Sequence, residues 1–327
     1  HVGMIEVQDL QKSYGFARAL RGISFSVSKG EVVGFLGPNG AGKSTTMKIL
    51  TGYLAPTGGR GVVNGHDVVA ESLQVRECVG YLPESTPLYS EMRVDDYLAF
   101  VAEIRGVAAA KRSSKIGRAV ELCGLGAVTG KNISELSKGY KQRVGLAQAI
   151  VHEPPVLILD EPTSGLDPNQ IVEVRGLIER LGEEHTVVLS THYLQEVEKT
   201  CTRVIIVHQG EIVADGTAAQ LVSSRPEGAL LLTIRGPEPE VLARLRALVS
   251  GADVGADADA VAVTERREGS VDYSVAVSSV DGQLPEAVVR QIVNAGWDLL
   301  ALRREQASLE DVFRELTLTP TAEASRG

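Results

Sequence analysis

Two groups of residues have the types and spacing to handle phosphate. Gly37, Pro38, Asn39, Gly40, Ala41, Gly42, Lys43 and Ser44 fit G-x-x-x-x-G-K-[ST] at every fixed position. Glycines in such a loop let backbone N–H groups turn inward around phosphate oxygens. Lys43 then neutralises β- and γ-phosphates, and the Ser44 hydroxyl suits Mg²⁺. Thr45 opens the helical run that follows, whose N-terminus adds partial positive charge. The second group is Asp160 and Glu161, which close the apolar run from Val156 to Leu159. A carboxylate ending a buried strand is costly unless a cation or hydrogen bonds compensate. Serving Mg²⁺ explains Asp160, and Glu161 beside it can accept a proton from an attacking water. Taken alone, the two acids could equally be solvated at a strand end. Beside the glycine loop they complete a site for Mg²⁺ and a chain of phosphates.

Both groups need a sheet to hold them. Val32 to Leu36, Val156 to Leu159, Thr186 to Ser190 and Val204 to Val207 are short continuous β-rich runs. Runs of this kind suit central strands buried on both faces of an α/β sheet. Helical patterns lie between them, among them Val94 to Val107 and Ile171 to Leu181. Composition changes near residue 223, and residues 223–228, Ser-Ser-Arg-Pro-Glu-Gly, read as a linker. Beyond it, strands over 229–235, 260–264, 271–277 and 297–303 alternate with helices over 239–249 and 284–294. That β-α-β-β-α-β order is the one of a ferredoxin-like α+β domain, expected over 229–317. Ser308 to Asp311 has the form of a capping box opening a last helix. Residues 318–327 read as a flexible tail.

The chain has 327 residues, a formal net charge of -9, 43% apolar and 23% charged residues. The length predicts two domains. The apolar fraction excludes disorder throughout, and no apolar run approaches the length of a membrane span. The acidic balance argues against sequence-independent binding of nucleic acid, which rests on Lys and Arg. Cys78, Cys123 and Cys201 show no metal or redox spacing and read as small buried residues of a reducing compartment. No signal-peptide pattern stands at the start, where His1, Val2 and Gly3 precede Met4 and read as an expression scar. His66, His152, His185 and His208 lack ligand spacing and read as structural or exposed.

A third sequence feature is Leu136-Ser137-Lys138-Gly139-Tyr140, upstream of Asp160 and Glu161. With the phosphate loop and the acidic pair, it makes residues 4–222 resemble the nucleotide-binding subunits of ABC transporters. Further elements of that family fall in order. Ser164 to Asp167 resembles the D-loop, His192 the switch histidine, and Tyr14 the aromatic that stacks on adenine. Glu84, in Tyr-Leu-Pro-Glu, stands where the family's Q-loop glutamine belongs. The resemblance implies a P-loop NTPase core with an antiparallel β-subdomain and a helical subdomain inserted at about 85–150. It implies a cytoplasmic ATPase, peripheral on the inner face of the cell membrane, that drives an integral membrane transporter subunit. It also implies a head-to-tail homodimer, in which Ser137 and Gly139 of one copy reach the nucleotide of the other.

On that reading Ser44, Glu84 and Asp160 serve the metal, Glu161 orients water, and Glu84 and His192 sense the γ-phosphate. His192 could instead be a plain strand-end histidine, and Tyr14 an ordinary core aromatic. Lys138 replaces the family's first signature glycine and Tyr140 its glutamine; Glu84 accepts hydrogen bonds but cannot donate one when ionised. These departures, with Ser308 to Phe313, resemble an exporter-type branch, above all its gliding-motility-associated ATPases. Leu88, Tyr89 and Met92 lie where that family receives a helix of the membrane subunit, and packing inside the helical subdomain explains them equally. The alternatives are a non-transport ABC ATPase and a partner without catalysis. The first lacks its usual heptad arms or zinc modules here; intact Lys43, Asp160 and Glu161 speak against the second.

Overall fold

The computed structural model describes residues 3–85, 87–223, 227–251, 261–267, 269–278, 284–305 and 308–318. The chain divides into two compact units. One comprises His1–Ala218 and takes up the chain again from Glu315; the other is Ala219–Arg314.

In the first unit, β1 (Ile5–Tyr14), β2 (Ala17–Val27), β3 (Val32–Leu36), α1 (Lys43–Leu50), β4 (Gly58–Val63), β5 (His66–Asp67), α2 (Ser72–Cys78) and β6 (Val79–Leu82) come first. Three helices follow, α3 (Val94–Ile104), α4 (Ala109–Leu122) and α5 (Lys138–Ile150). Then come β7 (Val156–Asp160), α6 (Pro168–Gly182), β8 (Thr186–Thr191), α7 (Leu194–Thr200), β9 (Arg203–His208) and β10 (Glu211–Gly216). A six-stranded sheet runs β10-β9-β3-β8-β7-β6. Its strands from β9 to β6 are parallel, and β10 is antiparallel to β9. Every residue of β3, β7 and β8 is buried, which is why these runs are apolar without alternation. A separate antiparallel sheet, β2-β1-β4-β5, packs Ile5, Leu10, Ile23 and Phe25 against Phe35 and Met47.

The neighbours β3, β7 and β8 end in the phosphate loop, in Asp160-Glu161 and just before His192. In an open parallel sheet the carboxyl ends of the strands face the ligand crevice. The helices α3, α4 and α5, inserted between β6 and β7, share a core of Val94, Leu98, Val101, Cys123 and Val144.

The second unit begins at Ala219, near the start of α8 (Ala218–Ser223). It continues with β11 (Glu227–Arg235), α9 (Glu238–Gly251), β12 (Val261–Arg267), β13 (Ser270–Ser278), α10 (Leu284–Asn294) and β14 (Asp298–Glu305), before α11 (Leu309–Leu318). Its sheet runs β12-β13-β11-β14, with every pair antiparallel. Leu230, Leu232, Ile234, Tyr273 and Val275 of the sheet pack with Val241, Leu245, Val288 and Ile292 of the helices. Both edge strands are bulged: Thr264 is the extra residue of β12 opposite β13, and Leu300 that of β14 opposite β11. The capping box at α11 is present, with Ser308 N–H donating to Asp311 (3.0 Å) and Asp311 N–H to Ser308 Oγ (3.2 Å).

The linker expected over 223–228 needs correction. Ser223 ends a helix whose Ala-Ala-Gln-Leu-Val sequence favours helix and buries Leu221. Glu227 and Gly228 already pair with Ser278 and Val277. Residues 224–226 lie outside the described residues. Of the expected tail, Leu318 ends α11 and 319–327 lie outside the described residues.

Candidate functional site

The phosphate loop leaves β3 and enters α1 through two glycines with structural work to do. A methyl group at Gly37 would sit 2.3 Å from the carbonyl oxygen of Val207, so only glycine lets the loop pass β9. Gly42, the N-cap of α1, has φ 112°, a conformation that side chains resist. The turn aims Lys43 back along the loop. Its Nζ donates to the carbonyls of Gly37 (2.7 Å) and Pro38 (3.2 Å) and lies 3.5 Å from Glu161 Oε1. Lys43 and Glu161 are both buried, so each needs the other to offset desolvation.

Glu161 has φ 49°, a strained value for a non-glycine residue, at the step from β7 into its loop. Its N–H donates to Ser190 Oγ (3.0 Å) and to the Ser190 carbonyl (3.1 Å). The Ser190 hydroxyl in turn donates to Asp160 Oδ1 (2.5 Å), which also accepts from Ser44 Oγ (3.0 Å). One serine of β8 thus holds both acids of β7. His192 Nδ1 lies 2.8 Å from Glu161 Oε2, the spacing of an N–H donating to a carboxylate. Glu161 therefore sits between the Lys43 ammonium and the His192 imidazole. Behind the site, burial and then the nearby Asp160 charge push the Tyr81 hydroxyl pKa up.

These side chains open on a cleft of about 490 Å³, lined by Asn39, Gly40, Gly42, Lys43, Ser44, Thr45, Glu84, Glu161 and His192. Ser164, the first residue of the expected D-loop, and Ala19 complete the lining; Ala19 was missing from the sequence reading, as was Ser190. The signal for Ser190 was a lone hydroxyl ending an apolar strand. Pro38 and Ala41 belong to the same loop. Glu84 is exposed at the cleft wall. Tyr14 is not in that lining; it is half-exposed at the end of β1, with Lys12 Nζ 5.4 Å from its ring centre.

Ser137 and Gly139 lie apart from the cleft, where Ser137 caps α5 by accepting from Tyr140 N–H (3.4 Å). Gly139 is buried, and a methyl there would lie 2.7 Å from Gln170 Cδ. The Lys138 ammonium stands directly over Gly165. Asp167 caps α6, accepting from Gln170 N–H (3.0 Å). Tyr89 is exposed, whereas Leu88 and Met92 pack against the core of the inserted helices, so that expected patch divides.

Cys78 and Cys123 are buried, Cys201 is half-buried, and all three are free thiols. His152 is half-buried at the other end of the sheet, its Nε2 3.3 Å from the Val79 carbonyl, and desolvation lowers its pKa to about 4. His185 is buried with Nδ1 2.6 Å from the Pro154 carbonyl.

The donor set fits magnesium. Ser44 and Asp160 offer one hydroxyl and one carboxylate side by side, and no cluster of three His, Cys, Asp or Glu occurs among the described residues. Mg²⁺ bound with a nucleotide takes one or two such protein oxygens and fills its remaining positions with phosphate and water. No helix among the described residues is long and apolar enough to cross a membrane.

The chain is similar to known proteins over this whole framework. The family model "ABC transporter" matches residues 20–164. The linearmycin resistance ATP-binding protein LnrL of Bacillus subtilis (strain 168) is 32% identical over 96% of this chain and 98% of its own length. The daunorubicin resistance ATP-binding protein DrrA3 of Streptomyces coeruleorubidus is 33% identical, covering 96% and 95%. A solved structure described as an ATP-binding subunit of an ABC transporter is 33% identical over 68% of this chain and 92% of that one, with a TM-score of 0.61. Shared nearly end to end with such proteins, and built around a phosphate loop facing an acidic pair and a histidine, this chain belongs to the family of ABC transporter ATP-binding subunits.

Proposed function

We propose that the cleft hydrolyses Mg·ATP and that the energy drives a separate integral membrane subunit in export. The observation that carries this is the convergence of Lys43, Glu161 and His192, beside the Ser44–Asp160 pair, at the ends of three adjacent strands. Lys43 and the loop amides hold the triphosphate. Ser44 and Asp160 hold the magnesium, which supplies charge neutralisation on the phosphates; Glu84 reaches toward it from the cleft wall. Glu161 accepts the proton of the attacking water, and His192 holds that carboxylate and contacts the γ-phosphate. Most of the catalytic effect is positioning and electrostatics. Tyr14 stacks on adenine.

Two copies associate head to tail, with Ser137 and Gly139 of each completing the site of the other. Residues 85–150 form the helical subdomain. Tyr89, Phe100 and Ile104, all exposed, supply an apolar face for the membrane subunit and hold the protein at the cytoplasmic side of the membrane. The second unit belongs to the ferredoxin-like class, a reading supported by its strand order. The exporter-type branch, with its gliding-motility-associated members, is supported by Lys138, Tyr140, Glu84 and the Ser308 to Phe313 sequence. The deciding experiment measures phosphate release by wild type and by Glu161→Gln. The variant should retain ATP and lose hydrolysis by about a hundredfold or more. Wild-type turnover in the variant would remove Glu161 as the base.

A further inference from the structure

Glu196 is a buried carboxyl that the scheme above leaves unused. It lies in α7, four residues after His192, and is 7% exposed. A single oxygen, Oε2, accepts from the Thr163 hydroxyl (2.7 Å) and the Thr191 hydroxyl (3.1 Å). Thr163 stands two residues after Glu161, in the loop that leaves β7. Thr191 directly precedes His192, and its Oγ1 also accepts from Tyr193 N–H (3.0 Å), which fixes the turn carrying the imidazole. Both threonines are buried. The other oxygen, Oε1, has no hydrogen-bond partner among the described residues.

Such an arrangement is expensive for stability alone. Packing would be served as well by an apolar side chain of similar volume, since a half-satisfied buried polar group carries a desolvation cost. Burial indeed pushes the Glu196 pKa up, while the two threonine hydrogen bonds pull it down. What the carboxyl achieves is geometric. The helix carrying it is seated on the central sheet: a methyl at Gly34 of β3 would meet Val197 Cγ1 at 3.0 Å and Cys201 Sγ at 2.9 Å. From that fixed base, Oε2 ties together the two loops that bear Glu161 and His192.

We propose that Glu196 is a positioning residue for hydrolysis: by clasping Thr163 and Thr191 it maintains the 2.8 Å contact between Glu161 and His192. This rests on the hydrolytic reading of the cleft. Most of the nucleotide is held by the loop after β3, and His192 meets only its γ-phosphate, so the clasp acts chiefly on turnover.

The test uses the full chain with Mg·ATP, reading phosphate release, KM for ATP and the affinity for a fluorescent ATP analogue. Glu196→Ala should lower kcat about twentyfold, with KM and analogue affinity within about twofold, the size expected when one charge-assisted hydrogen-bonded link acts only on the reacting geometry. Glu196→Gln keeps an acceptor oxygen and should stay within about threefold of wild type. Thr163→Val and Thr191→Val each remove one arm and should lower kcat several-fold. Thr163→Val added to Glu196→Ala should cost nothing further, because that link is already gone, whereas Thr191→Val also removes the acceptor of Tyr193 N–H and is read as a single variant only. These valine variants also decide the matter if Glu196→Ala does not fold. Wild-type kcat in Glu196→Ala, an equal loss in Glu196→Gln, or strictly additive losses would overturn the clasp while leaving hydrolysis intact. Absence of phosphate release from wild type would instead bring down the hydrolytic reading, and the clasp with it.

Discussion

The two units bury different things. In the first, Lys43, Asp160, Glu161, Thr163, Ser190, Thr191 and Glu196 are buried polar side chains concentrated where parallel strands end. In the second, no charged residue is buried among the described residues; the core is aliphatic around Tyr273, whose hydroxyl is buried without a hydrogen-bond partner among them. Its charges pair at the surface instead, as Arg266 does with Glu238 and Arg267 with Glu265 and Asp272. Buried polar groups are retained where they perform chemistry or set geometry, because an apolar core is cheaper to hold. The contrast locates the candidate chemistry at the strand ends of the first unit.

The sharpest way to break this contrast is Lys43→Ala. It should reduce ATP affinity by about a thousandfold, since the loop loses its only charged donor to the phosphates. Calorimetry should show the unfolding of the second unit unchanged. Unaltered ATP affinity would contradict the assignment of the loop.

Leu232→Ala addresses the other side. Removing a fully buried leucine from the second core should cost about 3 kcal/mol. Chemical denaturation should report that loss while ATP turnover stays at the wild-type value. A parallel loss of turnover would show that the two units work as one.

Acid offers a third probe. His152 has its folded pKa lowered to about 4 by burial, against 6.5 as the unperturbed value. The unfolded chain therefore binds the proton more readily. The stability from the neutral imidazole is complete above pH 6.5 and is lost as pH falls toward 4, amounting to about 3 kcal/mol. Stability measured across that window in wild type and His152→Leu should show the slope reduced in the variant, and only in the transition of the first unit. Smallest of all, Ser308→Ala should cost about 1 kcal/mol through loss of the cap on α11. An unchanged midpoint would mean the cap is replaced by solvent.

Local chemistry was the most readable part of the chain. Gly37 to Ser44 and Asp160-Glu161 advertise themselves because phosphate and metal demand particular atoms at particular steps along the backbone. The buried strands were readable for a related reason: an unbroken apolar run of four or five residues has few other uses than a central strand. Ser190 and Glu196 were not, since their importance lies in Asp160 and Thr163, about thirty residues away in sequence, and a serine or glutamate alone carries no mark of burial. The same holds for Leu88 and Met92. Whether an apolar side chain near a loop faces the core or solvent depends on helices that converge from elsewhere. The limits of the presumed linker failed because Pro226 and Gly228 looked like breakers, yet Glu227 and Gly228 are already paired in a strand.

The bulges at Thr264 and Leu300 bear on the life of the protein at high concentration. An even row of free amides and carbonyls invites a second chain to add itself to a sheet. On both outer strands of the smaller unit that row is broken by an unmatched residue, and Glu265, Arg266, Arg267 and Arg303 stand exposed along them. The bulges and charges thus oppose strand-by-strand addition at both borders, while Leu300 and Leu302 leave an apolar stretch exposed on β14.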